Sequence, residues 1–148
     1  MTRLENPHKH RLASSSANEQ AVSIASILKA IADDTSLVLF NTISIAGGDG
    51  DILMKRLGVT RKQFYSRMSA LQKTGLIIRK NRQYVPTSLG SIVYDAQMML
   101  GRAANTFWKL KAIDSLDTEQ KLPTDERNKI INTLIDNQDI LKILVKQS

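Results

Sequence analysis

Gly58-Val59-Thr60-Arg61-Lys62-Gln63-Phe64-Tyr65-Ser66-Arg67-Met68-Ser69-Ala70-Leu71 decides how the chain is read. Thr60 is a favourable N-cap, and Gln63 stands three residues later, where its side chain can reach back to the N-cap amide. Phe64, Met68 and Leu71 recur at i, i+4 and i+7 and so form one apolar stripe of a helix. Turning roughly 100° per residue from that stripe brings Lys62, Ser66, Ser69 and Lys73 near the opposite side, with Tyr65 on its flank. That outer face is cationic and hydroxyl-bearing and contains no carboxylate. Just upstream, Asp51–Leu57 predicts a short helix that ends at Gly58. Two helices joined by a Gly-containing turn, the second with a basic outer face, make a helix-turn-helix with residues 61–73 as its recognition helix.

The charge of the chain points the same way. Its 148 residues carry a net +7. Between Asp51 and Arg82 the basic residues are Lys55, Arg56, Arg61, Lys62, Arg67, Lys73, Arg79, Lys80 and Arg82, and the one acid is Asp51. The whole cationic excess therefore lies on the helix-turn-helix and the segment from Thr74 to Arg82. A solvated helix face usually mixes signs, so segregation of this kind predicts a polyanionic partner. An anionic membrane surface would need a strongly apolar face turned to lipid. The apolar stripe here is of ordinary width and is needed for the core, so nucleic acid is the better fit.

Length and composition suit one globular domain with an appended helix. The chain has no cysteine, which excludes disulfides, thiolate metal sites and a cysteine nucleophile. Its two histidines, His8 and His10, fall in a polar stretch read as a disordered leader over residues 1–17. No metal or cofactor is expected. Met1–His8 lacks the apolar core of a signal peptide, and no apolar run reaches membrane-spanning length. The sequence thus predicts a cytoplasmic, nucleoid-associated protein without a membrane partner.

Outward from the central stretch, a first helix is expected from about Asn18, with Val22, Ala25, Leu28 and Ile31 on one face. Asp33-Asp34-Thr35 interrupts it as capping residues, and a second helix follows from Ser36 to Ala46. Leu37, Val38, Leu39, Phe40 and Ile43 should form its buried surface. Gly47-Gly48-Asp49-Gly50 reads as a connector, because it lacks the Gly-Lys-Ser/Thr ending of a phosphate-binding loop. Beyond Gly75, a helix-ending glycine, Leu76–Arg79 and Gln83–Pro86 predict a short hairpin with Lys80-Asn81-Arg82 at its tip. Pro86 suits an edge strand.

Thr87 should then cap a helix running to about Leu116. Leu89, Val93, Ala96, Leu100, Ala103, Phe107 and Leu110 follow one another in alternating steps of four and three, a heptad-like seam. About 28 residues at 1.5 Å each span about 42 Å, longer than a small domain needs to cover itself. Asp114–Pro123 reads as a polar loop, and Thr124 as the cap of a last helix to residue 146, with Asp125 and Glu126 at its positive end. Ile130, Ile131, Leu134, Ile135, Leu141, Leu144 and Val145 give that helix a wide apolar stripe. It can fold back on the long helix or meet a second chain. The expectation preferred is a dimer seam built from Leu100, Ala103, Phe107, Leu110, Ile131, Leu134, Leu141 and Val145. The fold class expected is mainly α with a small β-hairpin wing. Domain limits are set at 18–116 for the DNA-binding domain with its long helix and 117–148 for a C-terminal dimerisation extension.

Three stretches carry a resemblance to a known family. Leu28-Lys-Ala-Ile-Ala-Asp33-Asp34-Thr35-Ser36-Leu37 resembles the first sequence block of ArsR-like winged-helix repressors. Val59-Thr60 with Met68-Ser69-Ala70-Leu71-Gln-Lys-Thr-Gly75-Leu76-Ile77 resembles their recognition helix and its turn into the wing, and Tyr84-Val-Pro-Thr87-Ser-Leu-Gly90 the exit from the wing. The resemblance covers roughly residues 20–116. It implies a homodimer that binds a palindromic operator, represses transcription and often responds to a ligand. Asp34 stands where the family commonly has Pro, and Ser36 where it commonly has Arg. The cysteines that metal-sensing members carry on the helix corresponding to Asp51–Leu57 are missing, which excludes thiolate metal sensing.

For double-stranded DNA, Arg61, Lys62, Tyr65, Ser66 and Ser69 are expected near base edges in the major groove, with Arg67, Lys73, Lys55 and Arg56 nearer the backbone and Gln63 also in the DNA-binding set. Arg79, Lys80 and Arg82 should meet phosphates or the minor groove. A bidentate base contact discriminates between sequences, whereas a phosphate contact adds affinity to all of them. Two other readings are a winged-helix protein-interaction module in a transcription or chromatin assembly, and a non-specific nucleic-acid binder. An enzyme is not expected: there is no Cys, no His outside the leader, and no carboxylate pair in an apolar setting.

Overall fold

The computed structural model describes residues 22–119 and 121–145. The leader expected over residues 1–17, with His8 and His10, lies outside them, as does Lys146. Two compact units divide between Ser91 and Ile92, inside the long helix rather than after Leu116.

The first unit opens with α1 (Ile24–Ala30), whose N-cap Ser23 accepts from the Ser26 amide. Ala30 and Ile31 are buried, whereas Val22, Ala25 and Leu28, expected on the same face as Ile31, are exposed. Helix α2 (Asp34–Ala46) starts at the N-cap Asp33 and buries Leu39, Phe40 and Ile43. Val38, expected in that surface, is exposed. A two-residue strand, β1 (Gly48–Asp49), occupies the supposed connector. Gly47 is at φ 63°, and a side chain there would press on the Tyr84 carbonyl oxygen, so the turn into β1 requires glycine. Asp49 caps α3 (Gly50–Leu57), which ends on Gly58 in the left-handed region (φ 63°, ψ 27°).

Helix α4 (Arg61–Lys73) carries the expected capping box, with Thr60 and Gln63 both engaged, and buries Phe64, Met68 and Leu71. Strands β2 (Ile77–Lys80) and β3 (Gln83–Pro86) form the hairpin. Asn81 and Arg82 both have positive φ (51° and 63°), the signature of a two-residue type I′ turn, whose twist matches that of the strands. The sheet order is β1-β3-β2, antiparallel throughout. β3 is therefore central, contrary to the edge position inferred from Pro86. β1 pairs only with Gln83 and Tyr84, so no partner on that side faces the missing Pro86 donor. Leu39, Phe40, Ile43, Leu53, Phe64, Met68, Leu71, Leu76, Ile77 and Tyr84 make the core of this unit. The element order is that of a winged helix-turn-helix.

Helix α5 (Ser88–Asn105) begins where Thr87 donates its hydroxyl to the Gly75 carbonyl and accepts from the Gly90 amide. Gly90 sits so close to the Leu76 carbonyl that an added Cβ would collide with it. The helix does not run on to Leu116. It breaks at Thr106, and α6 (Phe107–Glu119) follows. The Thr106 hydroxyl donates to the Ala103 and Arg102 carbonyls at 3.0 and 3.3 Å, a back-bond that bends helices. Helix α6 also continues through Asp114–Glu119, which were expected to be loop. Ser115 and Thr118 bond back to the carbonyls four residues before them, and Asp117 pairs with Arg127.

The last helix is two. α7 (Thr124–Leu134) has Pro123 at its N-cap and no side-chain cap bond, so Thr124 is its first residue and not its cap. α8 (Gln138–Leu144) restarts at Asn137, which accepts from the Ile140 amide. The second unit has a core of its own: Ile113, Ile131, Ile135, Ile140 and Leu141, with Met99, Ala103, Leu110, Leu134, Leu144 and Val145 packed against it. Arg127 ties it together, with Nε and Nη2 on the two Asp117 oxygens (2.5 and 2.9 Å) and Nη1 on the Leu144 carbonyl (3.0 Å).

The residues expected in a dimer seam divide between this core and the surface. Ile131 and Leu141 are buried inside the chain, and Ala103, Leu110, Leu134 and Val145 pack on the same core. An apolar stripe as wide as that of 130–145 finds cover in its own chain once a break at 135–137 lets it fold back. Leu100 and Phe107 alone of that set remain outside, 65% and 52% exposed.

Candidate nucleic-acid interface

The interface is built from the α3–turn–α4 pair and the hairpin. Burial of Phe64, Met68 and Leu71 fixes the rotation of α4. That rotation leaves Arg61, Lys62, Gln63, Tyr65, Ser66 and Lys73 exposed and Ser69 half-buried. Lys55 and Arg56, in the last turn of α3, are exposed, as are Arg79, Lys80 and Arg82 on the hairpin. Among the described residues, Arg67 is the one of these nine basic side chains that forms an ion pair. The other eight form no ion pair with any described residue. In water that is an ordinary state, but eight of one sign on neighbouring elements create a field that favours a polyanion.

Several side chains are held by their neighbours. Gln63 Oε1 accepts from the Thr60 amide at 3.2 Å, which commits its oxygen to the cap and leaves its amino group to meet a ligand. Tyr65 packs edge-on against Phe64 (5.4 Å, 79°) and is still 49% exposed, so one ring is both packed inside and open to solvent. The Arg79 guanidinium lies 5.6 Å over the Tyr84 ring, its cross-strand partner, and this stacking aims it along the hairpin. Lys80 and Arg82 flank the turn.

Arg67 has partners within the chain. It turns back from α4 to the start of α2, where Nη1 donates to Asp33 Oδ1 (2.7 Å) and Ser36 Oγ (3.2 Å). Asp33 also accepts from the Ser36 amide and hydroxyl (2.9 and 2.7 Å). Burial pushes the Asp33 carboxyl up, but the Ser36 bonds and the Arg67 charge outweigh it and hold it below the usual carboxylate range. Residues 34 apart in sequence gave no signal of this pairing.

Among the described residues no group of three or more His, Cys, Asp or Glu side chains could hold a metal ion, and no helix is long and apolar enough to cross a membrane.

Among solved structures the chain is similar to an ArsR-like transcriptional regulator from Rhodococcus sp. RHA1, at 21% identity and a TM-score of 0.43, over 73% of this chain and 99% of that one. No protein-family model matches the chain, and no curated protein does.

Proposed function

We propose that the chain is a sequence-specific, double-stranded-DNA-binding transcriptional regulator that acts as a homodimer. The observation that carries this reading is the cationic outer face of α4, α3 and the hairpin, with eight basic groups that form no ion pair among the described residues. Helix α4, about 20 Å long at 1.5 Å per residue, enters the major groove with Arg61, Lys62, Tyr65, Ser66 and Ser69 toward base edges. Lys55, Arg56 and Lys73 lie on flanking phosphates, and Arg79, Lys80 and Arg82 on phosphate or in the minor groove. Dimerisation is supported by apolar side chains left outside the core of the second unit: Ile92 and Leu100 on α5, and Phe107 and Trp108 on α6. Exposed apolar groups in such number mark an association surface. Repression, rather than activation, follows the ArsR-like sequence resemblance.

Selection from random duplexes, followed by titration at several salt concentrations, tests this. Log affinity should fall with log salt by about 0.9 per neutralised phosphate, and a two-fold symmetric site should be enriched. A steep salt slope without a preferred sequence would make the protein an architectural nucleic-acid binder. Absence of binding at low salt would favour the protein-interaction module. Sedimentation of the free protein decides the dimer, and a reporter placed behind the enriched site decides repression.

A further inference from the structure

We infer that Asp33 is an intramolecular stand-in for a DNA phosphate, holding Arg67 out of the set of backbone contacts and so limiting the affinity of the helix-turn-helix for any duplex. The inference rests on the DNA-binding reading above and concerns how many phosphates that surface neutralises.

The geometry of the pair carries it. Arg67 is the one basic side chain of α4 that faces a carboxylate, at 2.7 Å. The carboxylate does not need it. Asp33 Oδ1 already accepts from the Ser36 amide and Oδ2 from the Ser36 hydroxyl, so the N-cap of α2 is complete without the guanidinium. Arg67, for its part, is incompletely satisfied there. Its Nη1 has two acceptors, whereas its Nε is buried with none. A guanidinium offers five donors in a planar fork, and a carboxylate occupied by a helix cap presents only part of the matching edge.

The alternative position is at hand. Arg67 also lines a hollow of about 250 Å³ on the outer side of α4, together with Lys62, Gln63 and Ser66. A backbone phosphate at the rim of that hollow would meet Arg67, with Lys62 and Ser66 still toward base edges. In the free protein the Asp33 charge competes for that guanidinium. With the carboxylate removed, Arg67 is left with Ser36 Oγ as its partner and can turn toward the hollow.

The test is the salt dependence of binding to a random-sequence duplex by the full chain, between about 50 and 200 mM NaCl. Asp33→Asn and Asp33→Ser both keep a good N-cap for α2 and remove the charge. Each should steepen the log–log slope by about 0.9 per bound protomer, an additional loss of about 3.5-fold in affinity across that fourfold range. Arg67→Gln should leave the wild-type slope unchanged, and Asp33→Asn with Arg67→Gln should return to it. Asp34→Asn serves as the matched control: Asp34 is exposed and adjacent, and its loss removes the same charge without releasing Arg67, so the slope should not move. A shallower slope for Arg67→Gln would mean that Arg67 already neutralises a phosphate, and would overturn the inference. So would equal steepening by Asp34→Asn, steepening that persists without Arg67, or no change in either Asp33 variant of a wild type that binds with normal salt dependence. Failure of the wild type itself to bind at about 50 mM salt would instead overturn the DNA-binding reading, and this inference with it.

Discussion

Helix α4 and the helices beyond residue 92 look alike in sequence, since each repeats apolar residues at steps of three and four, yet the repeats end in different places. In α4 the stripe Phe64–Met68–Leu71 is wholly buried and the opposite face is charge without an internal partner. In the second unit the seam divides. Ala103 and Leu110 pack on the core of Ile113, Ile131, Ile135, Ile140 and Leu141, while Leu100, Phe107 and Trp108 stay outside. A periodic stripe establishes a helix and a preferred side, but not whether the cover comes from the same chain or another. The exposed charge of the first unit and the exposed apolar groups of the second are the surfaces from which function is read.

The largest expected effect tests the inner half of that division. Ile131→Ala should lower the unfolding free energy by about 3–4 kcal/mol, the cost of a fully enclosed cavity, at any protein concentration. If Ile131 instead belonged to a dimer seam, the loss would appear as concentration-dependent dissociation. Next is Gly90→Ala in the first unit, expected to cost about 3 kcal/mol because the new Cβ meets the Leu76 carbonyl and α5 must shift. Hydrogen exchange should place its effect around Leu76 and Thr87, not around Ile131. Third is Lys80→Ala with Arg82→Ala. Removing two phosphate contacts per protomer should flatten the salt slope by about 1.8 and leave the preferred sequence unaltered. A changed preference would move the hairpin from phosphate contact to base readout.

The first unit was the more legible in sequence because its signals are local. The Thr60–Gln63 box, the left-handed Gly58, the buried stripe of α4 and the turn at Asn81 each lie within a few residues of their partners. β1 was not legible: Gly48-Asp49 has no strand propensity and is a strand only by pairing with Tyr84 and Gln83. The same holds for Arg67, placed by a carboxylate 34 positions away. In the second unit the breaks were missed although their residues were visible. Thr106 acts through its own backbone carbonyl bonds, and Asn137 caps a helix that periodicity alone had run together with the one before it. The basic groups of α3, α4 and the hairpin other than Arg67 are exposed, whereas most of the residues expected in the dimer seam pack in or against the core of their own chain.

A smaller effect is expected at the outer half of the seam. Leu100→Ser should leave the stability of the isolated protomer within about 0.5 kcal/mol of wild type, as for other exposed positions, and weaken self-association in sedimentation. Unchanged association would shift the dimer contact to the exposed Ile24 and Leu28 of α1.

The smallest effect concerns Asp33, where the two kinds of surface meet in one carboxylate. Its pKa is held below the ordinary 3.8 in the folded chain, so the folded state favours the ionised form more than the unfolded state does. The stability this confers is complete above the unfolded pKa and is lost as pH falls through the lower, folded one. The side chain is 49% exposed, so solvent screening keeps the contribution modest. Wild type and Asp33→Asn should therefore differ by a constant amount at neutral pH and converge below about pH 3.8. The comparison is made by denaturant titration at several acidic pH values. Convergence at higher pH would mean that the Ser36 bonds and Arg67 do not hold the carboxylate, and that the tie between α2 and α4 is weaker than its 2.7 Å contact implies.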